Sequence, residues 1–214
     1  MNKKTLRLVT SGVLIALGTV LSMIKVFDLP YGGSITLFSM VPVMVLGYMY
    51  GVRWGLLCGT VFGVLQAVLG ATTSQAFAGL TGFNIVLMAF LDYIAAFAVL
   101  GLAGMFKRVI KRPTLSFALG AVVTGLLRYL CHFLSGFILW GSYAEWFFGD
   151  VMANSTGAYI LDNFTGDMLA MLYSLIYNGS YMLPETVISL VAAVVLMSIR
   201  PVRKQILSGA PVQA

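Results

Sequence analysis

Six apolar runs follow one another along 214 residues, and basic residues gather in every second segment between them. The runs cover about residues 8–24, 35–50, 54–70, 83–106, 115–140 and 168–199. About 20 apolar residues in helical form span the hydrocarbon core of a bilayer. Spacing of this kind predicts an all-α membrane protein, a bundle of six transmembrane helices in one integral membrane domain over 1–214. Composition agrees: 60% of the residues are hydrophobic, 9% are charged and the mean hydropathy is +0.96. A soluble domain averages about 25% charged residues. No separate soluble domain and no low-complexity segment fits between the runs.

The first run follows the basic stretch MNKKTLR. It is long for a signal peptide and no small-residue cleavage site follows, so it reads as an uncleaved helix. Lys25 and Asp28 end it, and the turn-rich LPYGGS leads to the second run, where Pro42 is expected to kink the helix. Asp92 interrupts the fourth run. A loop of some 25 residues with Glu145, Asp150, Asp162 and Asp167 separates the fifth from the sixth, and Pro184 is expected to kink the last run. With both termini in the cytoplasm, Lys3, Lys4, Arg7, Arg53, Lys107, Arg108, Lys111, Arg112, Arg200, Arg203 and Lys204 all fall inside, 11 of the 13 Lys and Arg residues. No acidic residue falls in an inside loop, as the positive-inside rule requires. Membrane orientation therefore accounts for the net charge of +6 without a nucleic-acid partner.

Residues 128–143, RYLCHFLSGFILWGSY, carry Arg128, His132 and Trp140 at spacings of four and eight. Positions four apart share a helix face, and Gly136 leaves room between the last two. Ionisable residues inside a membrane segment are costly and mark function by default. The topology sets Trp140 near the outer surface and His132 about 12 Å deeper, at about 1.5 Å per residue. Asp92, Tyr173, Tyr177, Asn178 and Tyr181 fall at a similar depth, the makings of a pocket open to the outside.

Each feature also has a plainer reading. Asp92 is either a carboxylate for a cationic or amine-bearing ligand, or a structural one that pairs with Arg128 or caps a helix break. His132 can bond a neighbouring carbonyl, and Trp140 can belong to an interfacial aromatic belt. The tyrosines and Asn178 can serve as hydrogen-bonding glue between helices. Arg128 and Glu185 read as a structural ion pair, and Lys25 snorkels beside Asp28. Gly55, Gly59 and Gly63, like Gly12 and Ala16, form small-residue stripes that pack within the bundle or dock a separate membrane subunit.

Several chemistries have nothing to work with. One histidine and no Cys-x-x-Cys leave no metal site. Cys58 and Cys131 lie in apolar runs and read as buried thiols. No phosphate loop is present, no hydrolase-like nucleophile and base occur together, and an inverted repeat is not evident. The chain reads as a non-enzyme without a cofactor.

The stretches PYGGSITL, LDYIAAFAVLG, LRYLCHFLSGFILWGSYAE and YSLIYNGSYMLPE together resemble the thiamine-specific substrate-binding (S) component of energy-coupling-factor vitamin transporters, over about Leu8 to Ile199. The resemblance implies a multi-pass protein of the bacterial cell membrane. It implies high-affinity capture of thiamine from outside, in a pocket partly covered by the loop between the first two helices. It also implies delivery through a transmembrane coupling protein and two ATPase subunits. Carried over position by position, the ligand-binding residues are Asp92, Tyr93, His132, Trp140, Tyr173 and Asn178. Two further aromatic positions fall on Gly33 and Phe62; Gly33 has no ring, so Tyr31 or another residue is expected to complete the cage.

Thiamine joins a cationic thiazolium to a flat aminopyrimidine. Aromatic rings can stack on both, Asp92 can balance the charge or accept from the amino group, and Asn178 can donate and accept at the pyrimidine edge. Two alternatives stay open: the same architecture for a precursor such as hydroxymethylpyrimidine, and a stand-alone ion-coupled secondary transporter.

Overall fold

The computed structural model describes residues 2–29, 33–73 and 76–209. Helix α1 is Lys3–Ser22, and a two-stranded antiparallel hairpin follows, β1 Lys25–Asp28 and β2 Ser34–Thr36. Then come α2 Val41–Tyr50, α3 Val52–Thr73, α4 Phe83–Arg108 and α5 Pro113–Trp140. Residues 141–151 form a helical segment of mixed pitch, α6, followed by α7 Ser155–Asn163, α8 Gly166–Ser198 and α9 Arg200–Ser208.

Five helices are long and apolar enough to cross a membrane: α1, α3, α4, α5 extended by α6, and α8. Their outward faces are apolar: Leu8, Val13, Leu17, Leu57, Val61, Leu130, Ile138, Val187 and Val191 are all exposed. Lipid, not water, suits such a surface. The chain is an integral membrane protein.

The second run departs from expectation. Only Val41–Tyr50 is helical, and residues 34–40 form β2 and a turn. Ten residues rise about 15 Å, half of a hydrocarbon core of about 30 Å. Pro42 lies at the start of α2 and initiates the helix instead of kinking it, because its fixed φ suits the first turn and its missing N–H is not needed there. Helix α2 is buried from Val41 to Tyr48 among α1, α3 and α4. Irregular backbone at membrane depth is tolerated where protein satisfies it. Glu185 of α8 does so here: its Oε1 accepts from the Thr36 backbone N–H at 2.5 Å and from Thr36 Oγ1 at 2.6 Å.

The region read as a loop, residues 141–167, is mostly helical. Gly157 of α7 lets α6 approach, since a Cβ there would strike the carbonyls of Phe148 and Met152. Phe148 and Ile160 give this segment its own buried core. Helix α8 runs unbroken through Pro184 for 33 residues, about 50 Å.

Glycines set the helix spacing. Gly55, Gly59 and Gly63 of α3 face the backbone of α4 at Gly101, Phe97 and Tyr93, and Gly55 also meets Gly47 of α2. Of the two readings of this stripe, packing within the bundle is the one observed. Gly12 and Ala16 of α1 stay exposed, and a Cβ at Gly12 would meet nothing within 4 Å.

Candidate functional site

Three helices bring polar side chains together in the apolar interior. Asp92 lies in a π-helical stretch of α4, Ala89–Ala95. Such turns are rare and frequent at functional sites. Its carboxylate faces α5. Asp92 Oδ1 is 2.8 Å from His132 Nδ1, and Oδ2 accepts from Ser135 Oγ at 2.5 Å. His132 and Ser135 are three residues apart on α5 and so share a face. The plainer partner considered for Asp92, Arg128, is committed elsewhere.

His132 is 8% exposed, and its Nε2 finds no hydrogen-bond partner among the described residues. Buried polar atoms are nearly always paired. Asp92 takes up Nδ1, so Nε2 is the ring nitrogen left facing a further partner. The imidazole edge also meets the Tyr181 ring of α8 at 5.9 Å between centroids.

From Tyr181 a hydrogen-bond chain runs along α8. Tyr181 Oη donates to Asn178 Oδ1 at 2.7 Å, and Asn178 Nδ2 donates to Ser174 O at 2.9 Å and to Ser174 Oγ at 3.1 Å. Ser174 Oγ in turn donates to Phe133 O of α5 at 2.6 Å. Both Asn178 donors are thus occupied, and what it keeps for a ligand is acceptor capacity at Oδ1. The room expected at Gly136 is filled by α8, since a Cβ there would collide with Ser174 Oγ and Asn178 Nδ2. That glycine brings α5 and α8 close enough for this network.

One turn along α8, Tyr173 and Tyr177 stack with centroids 5.6 Å apart. Phe147 of α6 packs edge-on against both, at 5.4 and 5.7 Å. The hairpin closes on the same face. Gly33 N donates to Tyr177 Oη at 3.4 Å, and a Cβ on Gly33 would enter the Tyr181 ring. A side chain at position 33 would have to displace the Tyr181 ring. Tyr31, the suggested replacement, lies outside the described residues.

Beneath this layer Arg128 Nη1 pairs with Glu185 Oε2 at 3.2 Å, and the guanidinium lies over Phe97, 4.3 Å from the ring centroid. Phe97 meets Phe62 edge-on at 5.1 Å. Phe62 is therefore part of the floor of the bundle.

The structure joins Asp92, His132 and Asn178 into one network and sets Tyr173 beside it. The other two candidates, Tyr93 and Trp140, have their ring contacts elsewhere. Tyr93, about a quarter-turn on from Asp92, points toward α3, with Phe77 at 5.5 Å and Gly70 against its hydroxyl. Trp140 packs with Tyr143 at 5.8 Å, two turns from His132. Ser135 and Phe147 belong to the cluster but were not singled out in the sequence, and Tyr181, placed in the same layer there, is part of it. Ser135 could have been found from its i+3 spacing to His132; Phe147 carried no such signal. A groove of about 370 Å³ at the α5–α8 end, lined by residues that include Phe137, Ile138, Ser142 and Asp167, is separate from the Asp92 network.

Comparison with known proteins follows this geometry. The family described as "Thiamine transporter protein (Thia_YuaJ)" matches residues 8–149. The thiamine transporter ThiT of Bacillus subtilis (strain 168) is 26% identical over 211 residues, 94% of each chain. ThiT of Lacticaseibacillus paracasei is 26% identical over 175 residues, 77% of this chain and 73% of that protein. The solved structure of ThiT from Listeria monocytogenes superposes with a TM-score of 0.70 at 23% identity, covering 96% of this chain and 100% of the other, and so shares the fold. With the family match spanning well over half of the sequence, the chain belongs to the thiamine transporter protein family.

Proposed function

We propose that the chain is the thiamine-binding membrane subunit of an energy-coupling-factor vitamin transporter in a bacterial plasma membrane. The observation that carries the site assignment is the buried His132 Nε2, without a partner among the described residues while Nδ1 faces Asp92; in this reading it accepts from an outside donor. The exocyclic amine of the aminopyrimidine is a donor of the right kind. Asp92 sits within the same cluster and supplies the negative charge that a thiazolium needs in a low-dielectric interior. Tyr173 and Asn178 line the adjoining face of α8, and Tyr181 closes it toward His132. Trp140 and Tyr93 join the site by side-chain rotation when a flat ring enters.

In this reading α2 and the hairpin before it together make the second of six crossings, both termini are cytoplasmic, and the hairpin covers the outer mouth. Charge placement supports that orientation. The exposed Gly12 and Ala16 on α1 form a small-residue face for the transmembrane coupling protein, which with two ATPases drives release inside.

The test is a ligand panel measured by calorimetry on the detergent-purified protein. Tight binding of thiamine with much weaker binding of hydroxymethylpyrimidine supports the assignment; the reverse order transfers it to the precursor. The buried Asp92–His132 pair also suits a proton-coupled carrier. Thiamine accumulation in vesicles holding this chain alone, without ATP, would establish that alternative and remove the need for partners.

A further inference from the structure

The segment between α5 and α8 brings an aromatic ring to the site. After Trp140 the chain winds through α6 and enters a π-helical turn at Phe147–Val151. The other π-helical stretch among the described residues is the one that carries Asp92. Wide turns of this type are frequent at functional sites. The two adjacent phenylalanines face different neighbours. Phe148, 1% exposed, belongs to the contact between α6 and α7. Phe147 crosses to α8, 68° from the Tyr173 ring plane and 86° from that of Tyr177.

Tyr177 thus meets both Phe147 and the hairpin backbone at Gly33. Tyr173 and Tyr177 lie on the side of Asn178 away from Glu185 along α8, so Phe147 covers the end of the cluster opposite the Arg128–Glu185 floor. An edge-on ring on a stacked tyrosine pair makes an apolar wall that a flat heteroaromatic ligand can extend.

We infer that Phe147 is a ligand-contacting residue that roofs the binding site over Tyr173 and Tyr177 and retards escape of the bound flat ring. The inference rests on the thiamine reading above. A residue that closes a mouth acts mainly on dissociation.

The experiment measures the thiamine dissociation constant and dissociation rate for the wild-type protein and for Phe147→Ala, Phe147→Leu and Phe147→Tyr, together with the melting temperature of each without ligand. Phe147→Ala is expected to raise the dissociation constant about tenfold, mostly through faster release. Phe147→Tyr, which keeps the ring, is expected to stay within about threefold of wild type. If Phe147→Ala does not fold, Phe147→Leu carries the same comparison. A lower melting temperature with both thiamine constants within about twofold of wild type would make the ring a packing element and overturn the inference. Wild-type protein that is folded yet does not bind thiamine overturns the parent reading and this one together; binding that ignores Phe147 overturns this one alone.

Discussion

His132 reaches from α5 to Asp92 on α4, Nδ1 to Oδ1 at 2.8 Å, and thereby fixes which of its nitrogens is left for a ligand. His132→Phe keeps a flat ring of similar size but removes both nitrogens. The loss of one charge-assisted bond and one ligand contact costs about 1.5–3 kcal/mol. Thiamine affinity is expected to fall about 10- to 100-fold, checked by calorimetry. Unchanged affinity would show that Nε2 does not face the ligand.

Ser135 orients the same carboxylate through its other oxygen, at 2.5 Å. Ser135→Ala leaves Oδ2 without that donor, at a cost of about 1 kcal/mol. The expected result is an affinity loss of about fivefold with the fold intact, read by titration and circular dichroism. A Ser135→Thr variant retains the hydroxyl and should lie between alanine and wild type.

Arg128 and Glu185 are mostly buried, with side chains 11% and 3% exposed, and Glu185 also holds the Thr36 backbone. Removing one member of a buried pair leaves an uncompensated charge, typically about 3–5 kcal/mol. Arg128→Met and Glu185→Leu are each expected to lower the melting temperature strongly. The double variant should recover part of the loss, because no lone charge remains. Additive losses in the double variant would show that the two residues stabilise the fold independently.

Gly12 lies on an exposed face of α1, where a larger side chain meets nothing in this chain. Gly12→Leu is therefore expected to leave thiamine affinity and melting temperature unchanged. If the α1 face docks the coupling protein, thiamine uptake by cells carrying the full transporter falls severalfold. Normal uptake would move the docking surface to another helix.

The parts legible in the sequence were those written in strong periodicity or costly chemistry. Long apolar runs gave α1, α3, α4, α5 and α8 to within a few residues. Ionisable residues in those runs pointed to the buried pair Arg128–Glu185, since a charge at membrane depth needs a partner, whereas Asp92, read beside Arg128 or a ligand, is found on His132. The α2 region misled because residues 35–40 are as apolar as a helix; what makes them strand and turn is tertiary, the Glu185 carboxylate that accepts from Thr36. Residues 141–167 looked like a loop because glycines, acids and aromatics mix there, and pairing with α8 decides their form. Gly136 read as empty space because sequence shows a missing side chain but not the neighbouring helix that fills its place.

The most direct measurement is a thiamine titration of the purified wild-type protein beside Asp92→Asn, followed by intrinsic tryptophan fluorescence and calorimetry. Asparagine keeps the size of the side chain and one acceptor oxygen but removes the charge. The account predicts saturable, submicromolar, one-to-one binding to the wild type, and a loss of about 100-fold in the variant. Absence of binding to a folded wild-type protein, or equal affinity in the two, would contradict it.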